Sequence, residues 1–175
     1  MVMILHYVWN CFWLIIPVLV MNGLLMGKLP NIYQPEVFSD HIPIWIVVGE
    51  NAFRTATVLL PLLMPLQVGR PGQKAGLALY LAGLVIYFAS WAMQIWIPQS
   101  AWSTSRWGFM APSYTPPIWL VGIALVGDSL YVPFPYTPWI YIGLSAAFLA
   151  FHNLHTWIVY SRAHTKRKAS IILTR

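Results

Sequence analysis

The sequence has very little charge. Only 8% of its 175 residues are charged and only four are acidic, whereas a soluble domain carries about 25% charged residues. A chain with so few charges is not expected to be soluble in water. Its single cysteine, Cys11, excludes an internal disulfide.

Long apolar runs take the place of charge. Hydrophobic residues make up 59% of the chain, and runs of roughly 20 of them recur, the length a helix needs to cross a hydrocarbon core. The runs are continuously apolar rather than alternating, which disfavours a barrel. The sequence therefore predicts an all-α, polytopic bundle of membrane helices over residues 1–161, followed by a basic cytoplasmic tail over 162–175.

Five transmembrane helices are expected, at about 3–26, 42–66, 75–97, 117–132 and 138–160. The fourth apolar piece is only about 24 Å long as a helix, which is marginal for crossing. Four spans plus a re-entrant segment is therefore the alternative. Residues 98–117, rich in Trp, Ser and Pro, are expected to form an interfacial loop.

The ionisable residues inside apolar segments decide between these topologies. The positive-inside rule, applied to the basic residues of the loops, supports four and five spans equally. With five spans, however, Glu50, Arg54, Asp128, His152 and His155 all fall in one layer about 9–18 Å from the cytoplasmic end, where each can find a partner. This favours five spans with the C-terminus in the cytoplasm.

That polar layer is the candidate site. A charge at the bilayer centre costs on the order of 2.5–3.5 kcal/mol, so such groups usually face a cavity or a partner. Glu50 and Arg54 are four residues apart and can pair on one helix face, and His152 and His155 share another face. Glu50, Asp128, His152 and His155 are expected to be catalytic. The candidate substrate-binding residues are Asn51, Arg54, Asn153 and Trp91.

Acid–base chemistry on a small lipophilic substrate is the leading functional hypothesis: an isomerase, cyclase or hydrolase in the membrane. The alternative is a transporter or binding protein for a small molecule, a proton or an ion, for which a homodimer would supply the missing internal symmetry. A third hypothesis is an accessory subunit whose polar residues only order the bundle.

Partners and cofactors are less constrained. The basic run "SRAHTKRK" beside the last span is typical of a cytoplasmic face that contacts anionic membrane lipid. The net charge of +6 does not indicate nucleic acid, because no solvent-facing basic domain is present. His152 and His155 with a carboxylate are a weak pattern for zinc or iron, and haem between His6 and a later histidine would require matching depths. No metal site is predicted and no cofactor is identified.

In size, span number and richness in Trp and Pro, the chain resembles the tryptophan-rich sensory, or translocator, family and the sterol-isomerase-like group. Both resemblances imply a lipophilic ligand inside a helical bundle. The segments "GENAFRT", "VGDSLY" and "FHNLHTW" match no motif of either group, so no residue role is transferred.

Overall fold

The computed structural model describes the backbone of residues 8–173 and the side chains of residues 8–165. This part of the chain is helical and contains five helices that are long and apolar enough to cross a membrane. The prediction of an all-α bundle with five candidate spans is confirmed. The spans are Cys11–Lys28, Ile44–Leu63, Pro71–Trp96, Arg106–Val126 and Pro138–Thr165.

The first two spans combine α-helix with tighter 3-10 turns. The first consists of Cys11–Leu14, Ile16–Leu25 and Met26–Lys28, and the second of Ile44–Leu59 and Leu60–Leu63. The third is the single helix Pro71–Trp96, the fourth is Arg106–Tyr114 followed by Pro117–Val126, and the fifth begins the long helix Pro138–Leu173. Shorter pieces in the connections are Asn31–Tyr33, Pro35–Phe38 and Ala101–Thr104.

The fourth span is longer than the sequence predicts. Residues 98–117, expected to be a loop, contain two helices, and the span begins at Arg106 rather than at Pro117. The Ser105 side chain caps the helix start by accepting a hydrogen bond from the Gly108 backbone N–H. The span has 21 residues, enough to cross, so the re-entrant alternative is not needed.

Side chains from neighbouring spans explain how a proline-rich segment stays helical. Pro112 and Pro117 lack the N–H groups that would bind the carbonyls of Gly108 and Ser113 four residues earlier. Gln94 Nε2 donates instead to the Gly108 carbonyl at 2.7 Å, and Asn153 Nδ2 donates to the Ser113 carbonyl at 3.1 Å. These long-range bonds satisfy the carbonyls that the prolines leave open.

The fourth span forms the centre of the bundle. Two thirds of its window (67%) is buried, against 22–33% in the other four spans, and Ile123, Ala124 and Val126 are fully enclosed. The third span crosses it closely, because a Cβ atom on Gly83 would lie 2.5 Å from the Trp119 backbone nitrogen. Small residues allow such close approach between membrane helices.

The bundle has two distinct ends. At the end near Cys11, the backbone N–H of Cys11 donates to the Met64 carbonyl and that of Tyr131 donates to the Leu63 carbonyl. We call the other end, where the first span finishes at Lys28 and the fourth begins at Arg106, the tail end.

The connection between the first two spans, residues 29–43, folds over the tail end. Tyr33 donates to the Phe109 carbonyl at 2.9 Å, and Arg162 Nη2 donates to the Val37 carbonyl at 2.8 Å. Arg162 belongs to the predicted basic tail, but the helix of the fifth span continues through it to Leu173. The side chains of residues 166–175 lie outside the described part.

Candidate functional site

Glu50 is the centre of a cluster formed by the second and fifth spans. Its side chain is 4% exposed, and four residues along the helix Arg54 forms an ion pair with Oε1. The same oxygen lies 2.9 Å from His152 Nδ1, and Oε2 lies 2.6 Å from His155 Nδ1. We call Glu50, Arg54, His152 and His155 the Glu50 cluster; the sequence predicted that these four residues share one layer.

Helical spacing and one glycine bring the cluster together. His152 and His155 are one turn apart, so both rings face the second span. Gly49 allows the two spans to approach, because a Cβ atom there would lie 2.5 Å from the Phe151 ring. Phe151 also stacks on Phe53, with ring centroids 5.7 Å apart. This close contact lets a carboxylate on one helix reach imidazoles on the other.

The hydrogen bonds of His155 place a proton between it and Glu50. His155 Nε2 lies 3.1 Å from the Phe38 carbonyl, and because a carbonyl only accepts, Nε2 must carry hydrogen. A neutral His155 then has a bare Nδ1, which cannot bind an ionised carboxylate. The 2.6 Å contact therefore needs one proton, on Nδ1 or on Glu50 Oε2, and the pair together has no net charge.

His152 is placed differently. Its Nδ1 lies 2.9 Å from Glu50 Oε1. Because the proton shared with His155 lies on the side of Oε2, Oε1 only accepts, so Nδ1 is the donor and Nε2 is the nitrogen available to a ligand. The imidazole stacks on the Phe148 ring, with centroids 5.5 Å apart, and its side chain is 22% exposed. A carboxylate that fixes one imidazole nitrogen and leaves the other open is the arrangement of a general base.

His152 and Arg54 open onto a cavity of about 300 Å³. This volume lies at the lower end of the range usual for small-molecule sites, about 300–1,000 Å³. A second cavity of about 130 Å³ shares His152, Trp91 and Pro112 with the first. The other residues around the larger cavity are Ile15, Val18, Leu19, Asn22, Thr57, Val58, Tyr87, Pro116, Trp119, Leu120 and Phe148.

The connection over the tail end encloses further space. Tyr33 lines the 130 Å³ cavity and two others, of about 160 and 320 Å³. Burial raises the pKa of the Tyr33 phenol above its usual range, so the hydroxyl stays protonated and keeps donating to Phe109. The cavities around Tyr33 and Trp91 thus extend from the tail end toward His152.

Asp128 does not belong to the cluster, and its predicted place in a single polar layer is wrong. It forms an ion pair with Arg70, whose Nη1 lies 2.5 Å from Asp128 Oδ2, at the end opposite the tail end. The expected depth depended on a span beginning at Pro117. Because the span begins at Arg106, Asp128 lies about 30 Å from its start by helical rise and beyond its last residue.

The remaining candidates lie in different places. Asn51 is exposed and outside the cluster. Asn153 uses its amide within the bundle, donating to the Ser113 carbonyl and accepting from Ser113 Oγ at 3.1 Å. Trp91 lines both central cavities. Sequence reasoning missed the Phe38 carbonyl, which belongs to a distant connection and carries no signal in the sequence.

No metal centre is found within the described residues: no group of three or more His, Cys, Asp or Glu side chains could hold an ion. In the Glu50 cluster both imidazole Nδ1 atoms point at carboxylate oxygens rather than at a shared vacant point. His6, the other histidine considered for haem, lies outside the described residues.

No protein-family model, no curated protein and no solved structure matches this chain. The likeness in size and composition to the translocator and sterol-isomerase-like groups is therefore not accompanied by a match.

Proposed function

We propose that this protein is an integral membrane enzyme that acts on a small lipophilic molecule by acid–base chemistry. The observation that carries the proposal is His152, fixed at Nδ1 by the buried Glu50 carboxylate and lining a 300 Å³ cavity between the spans. Ionisable groups inside a membrane are costly, and those that are found there usually serve a function. A purely structural cluster would not need a cavity beside it.

In this proposal His152 Nε2 removes a proton from the substrate, and Glu50 stabilises the imidazolium that forms. The same nitrogen then returns the proton to another atom of the substrate. Isomerisation fits these groups most directly because it consumes neither water nor a co-reactant. The largely apolar wall of the cavity, which includes Leu120, Val58 and Trp119, also favours reactions that exclude water.

Substitution of His152 tests the proposal. Purified protein in nanodiscs would be incubated in D₂O with a membrane lipid extract, and deuterium incorporation and new products followed by mass spectrometry. We expect His152→Gln to lower turnover by about 10²- to 10⁴-fold, the usual contribution of a general base. His164→Gln, an exposed histidine on the same helix, is the matched control. Full turnover in His152→Gln would overturn the proposal.

Transport is the second candidate, favoured by the row of cavities from the tail end toward His152. In that case the Glu50–His155 pair, which already holds a shared proton, would couple substrate movement to protons. Proteoliposomes with an imposed pH gradient separate the two functions. Solute flux that is lost in His152→Gln, without any product formation, would favour transport.

We further propose that the tail end faces the cytoplasm. Lys28, Arg106 and Arg162 lie at this end, whereas Arg70 and Lys74 lie at the other. The excess of basic residues at the tail end agrees with the positive-inside rule. A reporter fused after Arg175 that is active only in the cytoplasm would test this orientation.

A further inference from the structure

The cavity beside His152 has an uncompensated positive charge. Glu50 and His155 share one proton and together carry no net charge, so the ion pair with Arg54 leaves the cluster with a net charge of +1. Arg54 uses Nη2 to bind Glu50, and its side chain is 45% exposed, on the wall of the cavity. A guanidinium has five N–H donors, so most of its donors remain available for a ligand.

Other donors surround the same space. Thr57 and Trp119 line the cavity and are 2% and 6% exposed. Neither Thr57 Oγ1 nor Trp119 Nε1 has a hydrogen-bond partner among the described residues. Asn22 Oδ1 accepts from the Tyr87 hydroxyl at 3.0 Å, which leaves the Asn22 amide N–H groups free to donate. Buried donors without partners are costly, but Thr57 Oγ1 and Trp119 Nε1 are closed off by packing. The donors that a ligand rich in acceptors can reach are therefore those of Arg54 and Asn22.

Most of the rest of the wall is apolar. Ile15, Val18 and Leu19 from the first span contribute aliphatic side chains, and Phe148 adds an aromatic face. A volume of about 300 Å³ lies at the lower end of the range usual for small-molecule sites. It suits a ligand with one short chain better than an intact two-chain phospholipid.

We propose that this cavity binds an amphiphile with an oxyanion head, a carboxylate or a phosphate, and a single short apolar body. The head lies against Arg54, where the remaining guanidinium donors pair with its oxygens, and the body lies along the first span. The inference rests on the proposed function, since it names the substrate class of that cavity. It requires binding alone and does not depend on turnover.

Four probes of equal chain length test the proposal: decanoate, decyl phosphate, decanol and decylammonium. Binding to the full chain in nanodiscs would be measured by calorimetry, with the signal from protein-free nanodiscs subtracted. We expect at least one oxyanion to bind about tenfold or more tightly than decanol, because a hydrogen bond to a charged group is stronger than a neutral one. Decylammonium should bind worst. The tighter of the two oxyanions identifies the head group.

Arg54 variants locate the head group. Arg54→Gln should remove the preference for an oxyanion while decanol still binds, which shows that the cavity is intact. Arg54→Lys keeps the charge and should retain part of the preference even if Arg54→Gln does not fold. Arg70→Gln, an arginine paired at the opposite end, is the control and should behave as the unaltered protein.

Two results would overturn this inference: equal binding of decanol and both oxyanions, or an unchanged oxyanion preference in Arg54→Gln and Arg54→Lys. The binding test and the turnover test of the proposed function can fail independently of each other. Arg54-dependent oxyanion binding with no His152-dependent turnover would leave the ligand class standing and remove the enzyme. If the protein turns over a neutral lipophile and this turnover persists in Arg54→Gln, the enzyme would stand and the oxyanion ligand class would fall.

Discussion

Two carboxylate–guanidinium pairs in this protein have very different surroundings. Glu50 and Arg54 belong to one helix, four residues apart, and the Glu50 side chain is 4% exposed. Asp128 and Arg70 join the ends of two different spans, and their side chains are 24% and 74% exposed. Glu50 also contacts two histidines beside a cavity, whereas the Asp128 carboxylate pairs with an exposed arginine.

The contrast separates a buried cluster from a pair at the end of the bundle. A buried carboxylate loses its hydration and must be compensated by partners of good geometry, so removal of one member leaves the others unpaired. An exposed pair keeps most of its hydration and contributes little. The Glu50 cluster is therefore expected to contribute more to stability than the pair of Asp128 and Arg70, which joins the ends of the third and fourth spans.

Removal of the Glu50 carboxylate should have the largest effect on stability. We expect Glu50→Ala to lower the free energy of unfolding by about 3 kcal/mol, because Arg54 and the two histidines lose their shared partner. For a chain of this size that corresponds to a fall in Tm of about 6–12 °C, measurable by thermal unfolding in detergent. Asn51→Ala, at the exposed neighbouring position, should stay within about 0.5 kcal/mol. Equal losses in the two variants would contradict the contrast.

Double-mutant cycles should give unequal coupling in the two pairs. The cycle of Glu50→Gln and His155→Gln should yield a coupling energy of about 1–3 kcal/mol, because the 2.6 Å contact holds a shared proton in a buried place. The cycle of Asp128→Asn and Arg70→Gln should yield less than about 1 kcal/mol. Chemical or thermal unfolding of the six variants checks both values. A larger coupling energy between Asp128 and Arg70 than between Glu50 and His155 would reverse the roles assigned to the two carboxylates.

Neutralisation of Asp128 alone should have a small effect. Asp128→Asn is expected to change stability by less than about 1 kcal/mol, and it should leave ligand binding and turnover unchanged because Asp128 lies at the end of the bundle remote from His152. Measurements of unfolding, ligand binding and turnover on Asp128→Asn test these expectations. Loss of turnover in a stable Asp128→Asn protein would restore Asp128 to the site.

A rise in salt concentration should have the smallest effect on stability, and it should act on the exposed pair rather than on the buried cluster. Between 0.1 and 1 M salt the Debye length falls from about 10 to about 3 Å, which screens exposed charges far more than buried ones. The difference in stability between the unaltered protein and Asp128→Asn should shrink by a few tenths of a kcal/mol. The corresponding difference for Glu50→Ala should persist, as thermal unfolding at both salt concentrations would show.

Spacing along the helices correctly predicted which side chains of the Glu50 cluster share a helix face. The four-residue spacing of Glu50 and Arg54 and the three-residue spacing of His152 and His155 fix which side chains share a face, and both pairs meet in the cluster. Asp128 was misplaced because its depth depends on where the fourth span begins. That start depends on Gln94 and Asn153, which lie on other helices and satisfy the carbonyls opened by Pro112 and Pro117.

The sequence by itself determined a helical membrane bundle with five candidate spans, because a continuously apolar segment must satisfy its backbone hydrogen bonds internally. Only the tertiary structure decided which ionisable groups meet. The Phe38 carbonyl, which orients His155, and the Asn22 and Trp119 side chains, which line the same cavity as Arg54, come from separate segments. Their approach depends on packing between helices, which is a property of three-dimensional contact and is not encoded in the spacing along any one helix.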